Sequence, residues 1–159
     1  AIAASQLADA IHTGPVTQFA LHNHTVHLPE RTPAPDFLKI AGDEYQVTEE
    51  QLAVALQVLF PDATPLYGLQ INDFHLITIP GEPITAIGLA IKQSLREGGS
   101  AHPVIVACTN DHIGYILTKD EYHLSGYEVT ASFYGDGLGE VFLEEGAVLA
   151  EKMTAVPAP

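Results

Sequence analysis

Three groups of side chains in this sequence are of types that could do chemistry. The first is His22-Asn23-His24-Thr25-Val26-His27. In an extended strand His22 and His24 share a face, and two imidazoles on one face can bind zinc. His27 falls on the opposite face and no carboxylate nearby completes the set, so the preferred reading is a half-exposed strand of alternating polarity. The second group is Glu82 within Pro80-Gly81-Glu82-Pro83, a carboxylate at a strand-to-helix junction. Glycine permits close backbone approach there, and a helix N-terminus stabilises negative charge. Junctions of this kind are where α/β proteins place functional residues, although the motif alone reads as a structural carboxylate. The third is the tract Asn110-Asp111-His112-Ile113-Gly114-Tyr115, followed by Tyr122 and Tyr127. Phenols usually pack in cores with the hydroxyl bonded, so no single tyrosine is informative. Of the scattered histidines His12, His75, His102, His112 and His123, His112 lies in a loop near these tyrosines. Cys108, the only cysteine, ends the run Val104-Ile105-Val106-Ala107-Cys108 and reads as a small buried residue.

The elements that must position these groups follow from periodicity and breakers. Ala1 to Ile11 reads as a helix already under way, uncapped, with Ile2, Leu7 and Ile11 on an apolar face. A chain opening inside an element is the expectation for a piece of a longer polypeptide, whether cleaved or cut by design. Val16 to Leu28 is extended, and Pro29 to Pro35 is a surface loop. Thr48-Glu49-Glu50-Gln51 is a capping box that opens a helix through Leu52, Leu56 and Leu59 to Pro61. Leu66 to Ile71 and Phe74 to Ile79 form a hairpin about Asn72-Asp73. A tight turn at Pro80–Pro83 leads into a helix from Ile84 to Arg96, closed by Gly98-Gly99. Val104 to Cys108 is a buried strand, Thr109 to His112 a polar loop, Tyr115 to Leu117 a short strand and Lys119 to Tyr122 a helical turn. Leu138 to Met153 is the last amphipathic helix, before a frayed proline-rich tail. No repeat or linker divides residues 1–159, so they form one unit. Strands alternating with helices give an α/β fold, a mixed β-sheet with flanking helices.

Composition narrows the function. At 47% hydrophobic and 16% charged residues, the chain is globular. Twenty acidic against six basic side chains give a formal net charge of −14, which repels phosphate backbones and excludes nucleic acid as a partner. No apolar run reaches the roughly 18 residues of a transmembrane segment. Neither a signal-peptide pattern nor a lipidation motif is visible. One cysteine excludes an internal disulfide, which suits a secreted and a cytoplasmic protein alike.

The groups become informative in combination. A strand, Pro80-Gly81-Glu82-Pro83, an amphipathic helix, an apolar strand and Thr109-Asn110-Asp111-His112-Ile113-Gly114-Tyr115-Ile116-Leu117-Thr118 follow in order. Lys119-Asp120-Glu121-Tyr122-His123-Leu124-Ser125-Gly126-Tyr127-Glu128 and Ser132-Phe133-Tyr134-Gly135 come next. This order resembles the neutral/alkaline non-lysosomal ceramidases, most strongly from Asn72 to Glu140, and the Tyr115-to-Tyr127 spacing agrees with the family pattern. His112 departs from it, standing where the family often has a hydroxylated or aromatic residue. The resemblance implies that Glu82 and Tyr115 are metal ligands for zinc and that Tyr127 is the active-site tyrosine facing the scissile amide. It further implies a zinc-dependent amidohydrolase acting on an N-acyl amide such as ceramide, a neutral lipid, through a metal-activated water.

The family's two zinc-binding histidines, catalytic histidine and arginine, and active-site serine belong upstream of the matched stretch. The chain is therefore expected to be an incomplete, C-terminal portion of a larger catalytic domain, inactive without the missing upstream half as a partner. The His22/His24 pair is not promoted to that ligand role. The competing expectation is a non-enzymatic domain that keeps the fold and binds a ligand or partner chain. A third is a metal module built on His22, His24 and His27.

Overall fold

A computed structural model describes residues 2–155; the capping of Ala1 and the expected fraying of the proline-rich tail lie outside them. The core is a four-stranded mixed sheet built from β1 (Phe19–His27), β2 (Ala63–Ile71), β3 (Phe74–Thr78) and β5 (His102–Val106), ordered β1-β2-β3-β5. β1–β2 and β2–β3 are antiparallel and β3–β5 is parallel. The parallel pair needs a crossover, and α4 (Thr85–Glu97) provides it. A second, two-stranded parallel sheet joins β4 (Glu82–Pro83) to β6 (Tyr115–Ile116).

The Asn72-Asp73 hairpin forms as expected, with Ile71 opposite Phe74 and Asn72 at φ +52°. Asn72 also ties the turn to the chain before β1, its side-chain oxygen accepting from the Thr17 and Gln18 amides. The capping box opens α3 (Glu49–Leu59): Gln51 N–H donates to the Thr48 hydroxyl, and Thr48 N–H to the Gln51 side chain. The guanidinium of Arg31 finishes the same helix by donating to the Phe60 carbonyl while pairing with Asp62.

α7 (Leu138–Thr154) and α4 pack together on one face of the sheet. Ile87, Ile91 and Leu95 of α4 meet Leu138, Phe142, Leu149 and Met153 of α7, above Val26, Leu66, Ile77 and Ile79 of the sheet. Buried aliphatic side chains contribute roughly 1.5–3 kcal/mol each, and this layer is the principal core. Of the apolar face expected along the opening helix α1 (Ile2–Ala10), Leu7 and, just beyond the helix, Ile11 are exposed rather than packed.

Four expectations need correction. Residues after Pro35 are helical, as α2 (Pro35–Tyr45), with the proline in its first turn, where its missing N–H costs nothing. Cys108 lies two residues beyond β5, exposed and at φ +53°, because the chain turns out of the sheet at Val106. Val104, Ile105 and Val106 are only half-buried, since β5 is an edge strand. Pro80–Pro83 is more than a turn, because Glu82 and Pro83 are themselves strand-paired. After α5 (Lys119–Tyr122), Tyr127 opens a further short helix, α6 (Tyr127–Thr130).

The β4–β6 pairing depends on two glycines. A Cβ on Gly81 would stand 2.5 Å from the Gly114 carbonyl oxygen, and one on Gly114 would collide with the Ala131 carbonyl at a φ of +86°. Both obstacles are backbone atoms that cannot swing aside. Gly81→Ala and Gly114→Ala are each expected to destabilise the protein by about 1–3 kcal/mol, measured by urea unfolding. Unchanged midpoints would show that these strands do not approach so closely.

A second prediction concerns Tyr134, which is buried and donates a 2.8 Å hydrogen bond to the Pro61 carbonyl. Burial pushes its phenol up to about 12, against the lowering influence of Arg31. A phenol raised in the folded state contributes stability that is complete below its unfolded value near 10 and is lost as pH rises through about 12. Tyr134→Phe should cost about 1 kcal/mol at about pH 8. That gap should narrow by about 1 kcal/mol at about pH 11, where only the wild type loses stability to this phenol. A gap constant with pH would contradict the assignment.

Candidate functional site

The short β4–β6 pair carries the candidate residues. Glu82 is in register with Tyr115, and Pro83 with Ile116. The ladder is continued by backbone bonds from Ile113 N–H to Pro80 O (2.9 Å), Glu82 N–H to Gly114 O (3.0 Å) and Ile84 N–H to Ile116 O (3.0 Å). On the far side of β6, Tyr115 N–H donates to Ala131 O at 3.0 Å, which fixes β6 to the end of α6. Parallel strands in register present matched residues side by side, so the carboxylate and the phenol meet by backbone geometry.

Tyr127, at the start of α6, places its ring edge-on against that of Tyr115, with centroids 5.9 Å apart and planes at 79°. This is a favourable arrangement for two aromatic quadrupoles. Tyr115 is half-buried, whereas Glu82 and Tyr127 are exposed. Glu82, Tyr115 and Tyr127 thus stand together although 45 residues separate the first from the last. Desolvation raises the Tyr115 phenol above its ordinary value, and the Glu82 carboxylate raises it further through a hydrogen bond that favours the protonated phenol and through its charge. Tyr127 and Glu128 push in the same direction.

Glu128 is the residue that sequence reasoning missed. It lines a cavity of about 250 Å³ with Glu82, Pro83, Ile84, Thr85 and Tyr115. Its neighbour Tyr127 lines another, of about 470 Å³, which includes Asp36, Lys39 and Ile40 of α2. The only signal was its place beside Tyr127, and reading it required knowing that a helix starts there. The site is rich in oxygen and negative charge, and no Lys or Arg pairs with Glu82 among the described residues.

The other sequence candidates lie elsewhere. His22 and His24 do share the helix-facing side of β1 and His27 the exposed side. His24 Nε2 pairs with Glu145 of α7, and Lys152 Nζ donates to its Nδ1 at 2.9 Å. The imidazole that would lead a histidine metal module is therefore engaged on both nitrogens. Among the described residues, no three His, Cys, Asp or Glu side chains are grouped as a metal cage. His112 is exposed, and its backbone N–H is taken by the Asp111 carboxylate. No helix is long and apolar enough to cross a membrane, among the described residues.

Comparison with known proteins agrees on one group. No protein-family model matches the chain. Neutral ceramidase B of Dictyostelium discoideum is 31% identical over 106 residues, which is 62% of this chain and 15% of that protein. The Oryza sativa subsp. japonica neutral ceramidase is 30% identical over 104 residues, 60% of this chain and 13% of that protein. The Mycobacterium tuberculosis neutral ceramidase is 30% identical over 95 residues, 58% of this chain and 15% of that protein. The chain thus spans 13–15% of the length of these curated relatives. In fold, it resembles the crystal structure of the neutral ceramidase from Pseudomonas aeruginosa with a TM-score of 0.56 at 17% identity, over 89% of this chain and 29% of that one. A ceramidase complexed with C2 gives a TM-score of 0.55 at 21% identity, over 62% of this chain and 16% of that one. Over 58–62% of its length the chain is thus similar in sequence to neutral ceramidases, and it shares the fold of the matched part of a neutral ceramidase structure.

Proposed function

We propose that this chain contributes the carboxylate and phenol ligands of a zinc site in a ceramidase-type amidohydrolase, acting on an N-acyl amide of neutral character such as ceramide. The observation that carries the reading is the register of Glu82 with Tyr115 across a parallel strand pair, with Tyr127 stacked against the phenol. The similarity to neutral ceramidases supports it, as does the electron-rich cavity, where Glu82 has no Lys or Arg partner among the described residues.

The residues fit the metal in part. A carboxylate and a phenolate are both suitable oxygen donors, but tetrahedral catalytic zinc takes three protein ligands and one open position. Glu82 and Tyr115 are two. The remaining ligands are assigned to polypeptide outside this chain, since the relatives are much longer and the described residues hold no third grouped ligand. The bound metal would supply Lewis acidity toward the amide carbonyl and an acidified water.

The chain's own residues have three tasks. Glu82 brings a formal negative charge to the cavity wall. Tyr115, like any phenol, carries its proton at neutral pH, and its surroundings hold that proton more firmly, so a cation that takes both oxygens must displace it. Tyr127, exposed beside it, has a hydroxyl free to donate to an oxygen that becomes negative as an amide is attacked. The same two-donor count would suit a binding unit that keeps the fold without catalysis, and zinc analysis separates the two.

Elemental analysis of natively purified material, with the intact mass of every polypeptide present, is the direct test. Zinc is expected where a complementary polypeptide accompanies this chain, and not with the chain alone. In the assembly, Glu82→Gln or Tyr115→Phe should weaken zinc retention by more than about tenfold. Tyr127→Phe should keep the metal while lowering amide-hydrolysis kcat by about 10²-fold or more. Zinc content indifferent to both ligand substitutions would end the reading. An assembly that never holds zinc would favour the binding unit.

A further inference from the structure

α4 and α7 run side by side in the same direction. A Cβ on Gly146, midway along α7, would stand 2.7 Å from the Ile91 side chain of α4, and one on Gly98, just past α4, would collide with the Thr154 side chain. Both helices therefore end at one place, beside the Asn72-Asp73 hairpin. α4 starts next to Glu82 and its 13 residues rise about 20 Å, so this place is remote from the Glu82–Tyr115 pair. A helix carries partial negative charge at its C-terminus, and two C-termini side by side repel. The basic residues of the two last turns do not fill the space between them. Lys152 is turned to His24, and neither it nor Arg96 lines the cavity found there.

That cavity measures about 220 Å³, and Gln70, Asp73, His75, Gly98 and Thr154 contribute to its wall. The wall is made of acceptors. Thr154 spends its hydroxyl proton on the Ala150 carbonyl at 2.9 Å. Gln70 donates to the Gln18 side chain at 3.3 Å and to the Asn72 carbonyl at 3.2 Å. Each is left with an oxygen that receives no donor among the described residues. Asp73 adds a carboxylate, whose ion-pair neighbour His102 stands at a loose 3.7 Å. His75, opposite Gln70 in the β2–β3 ladder, is only 6% exposed, and its Nδ1 has no hydrogen-bond partner among the described residues. A buried polar atom left unpaired is uncommon in a native fold, and nothing in the metal site uses this imidazole.

We propose that the cavity at the shared C-terminal end of α4 and α7 is a binding site for a small primary amine in its ammonium form. An ammonium brings the positive charge that the two helix ends and Asp73 call for. It also brings three N–H donors, which the oxygens of Gln70, Asp73 and Thr154 and the ring of His75 can accept. A carboxylate or phosphate would meet acceptors and negative charge alone. A quaternary ammonium has the charge and no N–H to give. A hard metal cation takes oxygen ligands and leaves the imidazole unused. The site lies at the far end of α4 from Glu82, so it stands or falls independently of the zinc reading.

The test titrates the isotope-labelled chain with ethanolamine at neutral pH and constant ionic strength, followed by NMR. Saturable shifts are expected at the backbone amides of Gln70, His75, Gly99 and Thr154. Ethylene glycol, which lacks the charge, and tetramethylammonium, which lacks the N–H donors, should each bind about tenfold more weakly or worse. Asp73→Asn changes an exposed turn residue, and His75→Leu replaces the unpaired imidazole with an apolar side chain, so both variants should keep cooperative melting. Each should weaken ethanolamine by about fivefold or more. Glu82→Gln should bind it like wild type, which separates this site from the metal site. Shifts that never saturate, or that gather around Glu82 and Tyr115, would overturn the proposal. So would ethylene glycol or potassium chloride matching ethanolamine, or an affinity that neither Asp73→Asn nor His75→Leu moves.

Discussion

The structure turns on two residue pairs held side by side, Glu82 with Tyr115 and Pro83 with Ile116. So short a parallel pairing has little stability of its own. It survives because the Ile113–Pro80 bond extends the ladder between its strands, while the Cys108–Gly81 and Tyr115–Ala131 bonds hold its backbone from either side. The clamp in turn needs Gly81 and Gly114, where any Cβ would strike a carbonyl. What reads in the sequence as a common turn motif is thus a close backbone contact, and the position of the carboxylate relative to the phenol follows from it.

The rest of the molecule serves that contact from one side. α4 begins directly after Pro83 and returns along the sheet to β5, so burial of Ile87, Ile91 and Leu95 fixes where β4 begins. α7 covers the same face, and Ile113 and Ile116 reach into the shared core from the loop and strand that carry Tyr115. Dense packing transmits small displacements, so the site is as rigid as this layer. The opposite face adds nothing to that rigidity in the isolated chain.

Much of this was legible in the sequence because it depends on neighbours. The Thr48/Gln51 box, the Asn72-Asp73 hairpin and the helix of residues 138–154 are set by residues within four or five positions of one another, where capping and periodicity act. α2 was missed because Pro35 was counted with Pro29 and Pro33 as a loop signal, although proline suits a first helical turn equally well. Cys108 was misplaced because an apolar run does not show where a strand leaves its sheet. The resemblance drew Glu82, Tyr115 and Tyr127 together before any geometry was known. Glu128 escaped because its relation to Tyr115 exists only once α6 has formed.

The site also shows where local preference gives way. Two carboxylates, Glu82 and Glu128, both act to raise the Tyr115 phenol, in a chain already strongly acidic. A sequence selected only for stability would place a lysine or arginine among them, as it does where Arg31 meets Asp62. Exposure softens the repulsion, because charges in water are well screened. It does not remove the bias, which favours whatever brings positive charge to these oxygens. Departures from local consistency concentrate where function requires them. On the proposed reading the acidic pair facing the Tyr115 phenol is such a departure, and a cation bound between the carboxylate and the phenol would resolve it.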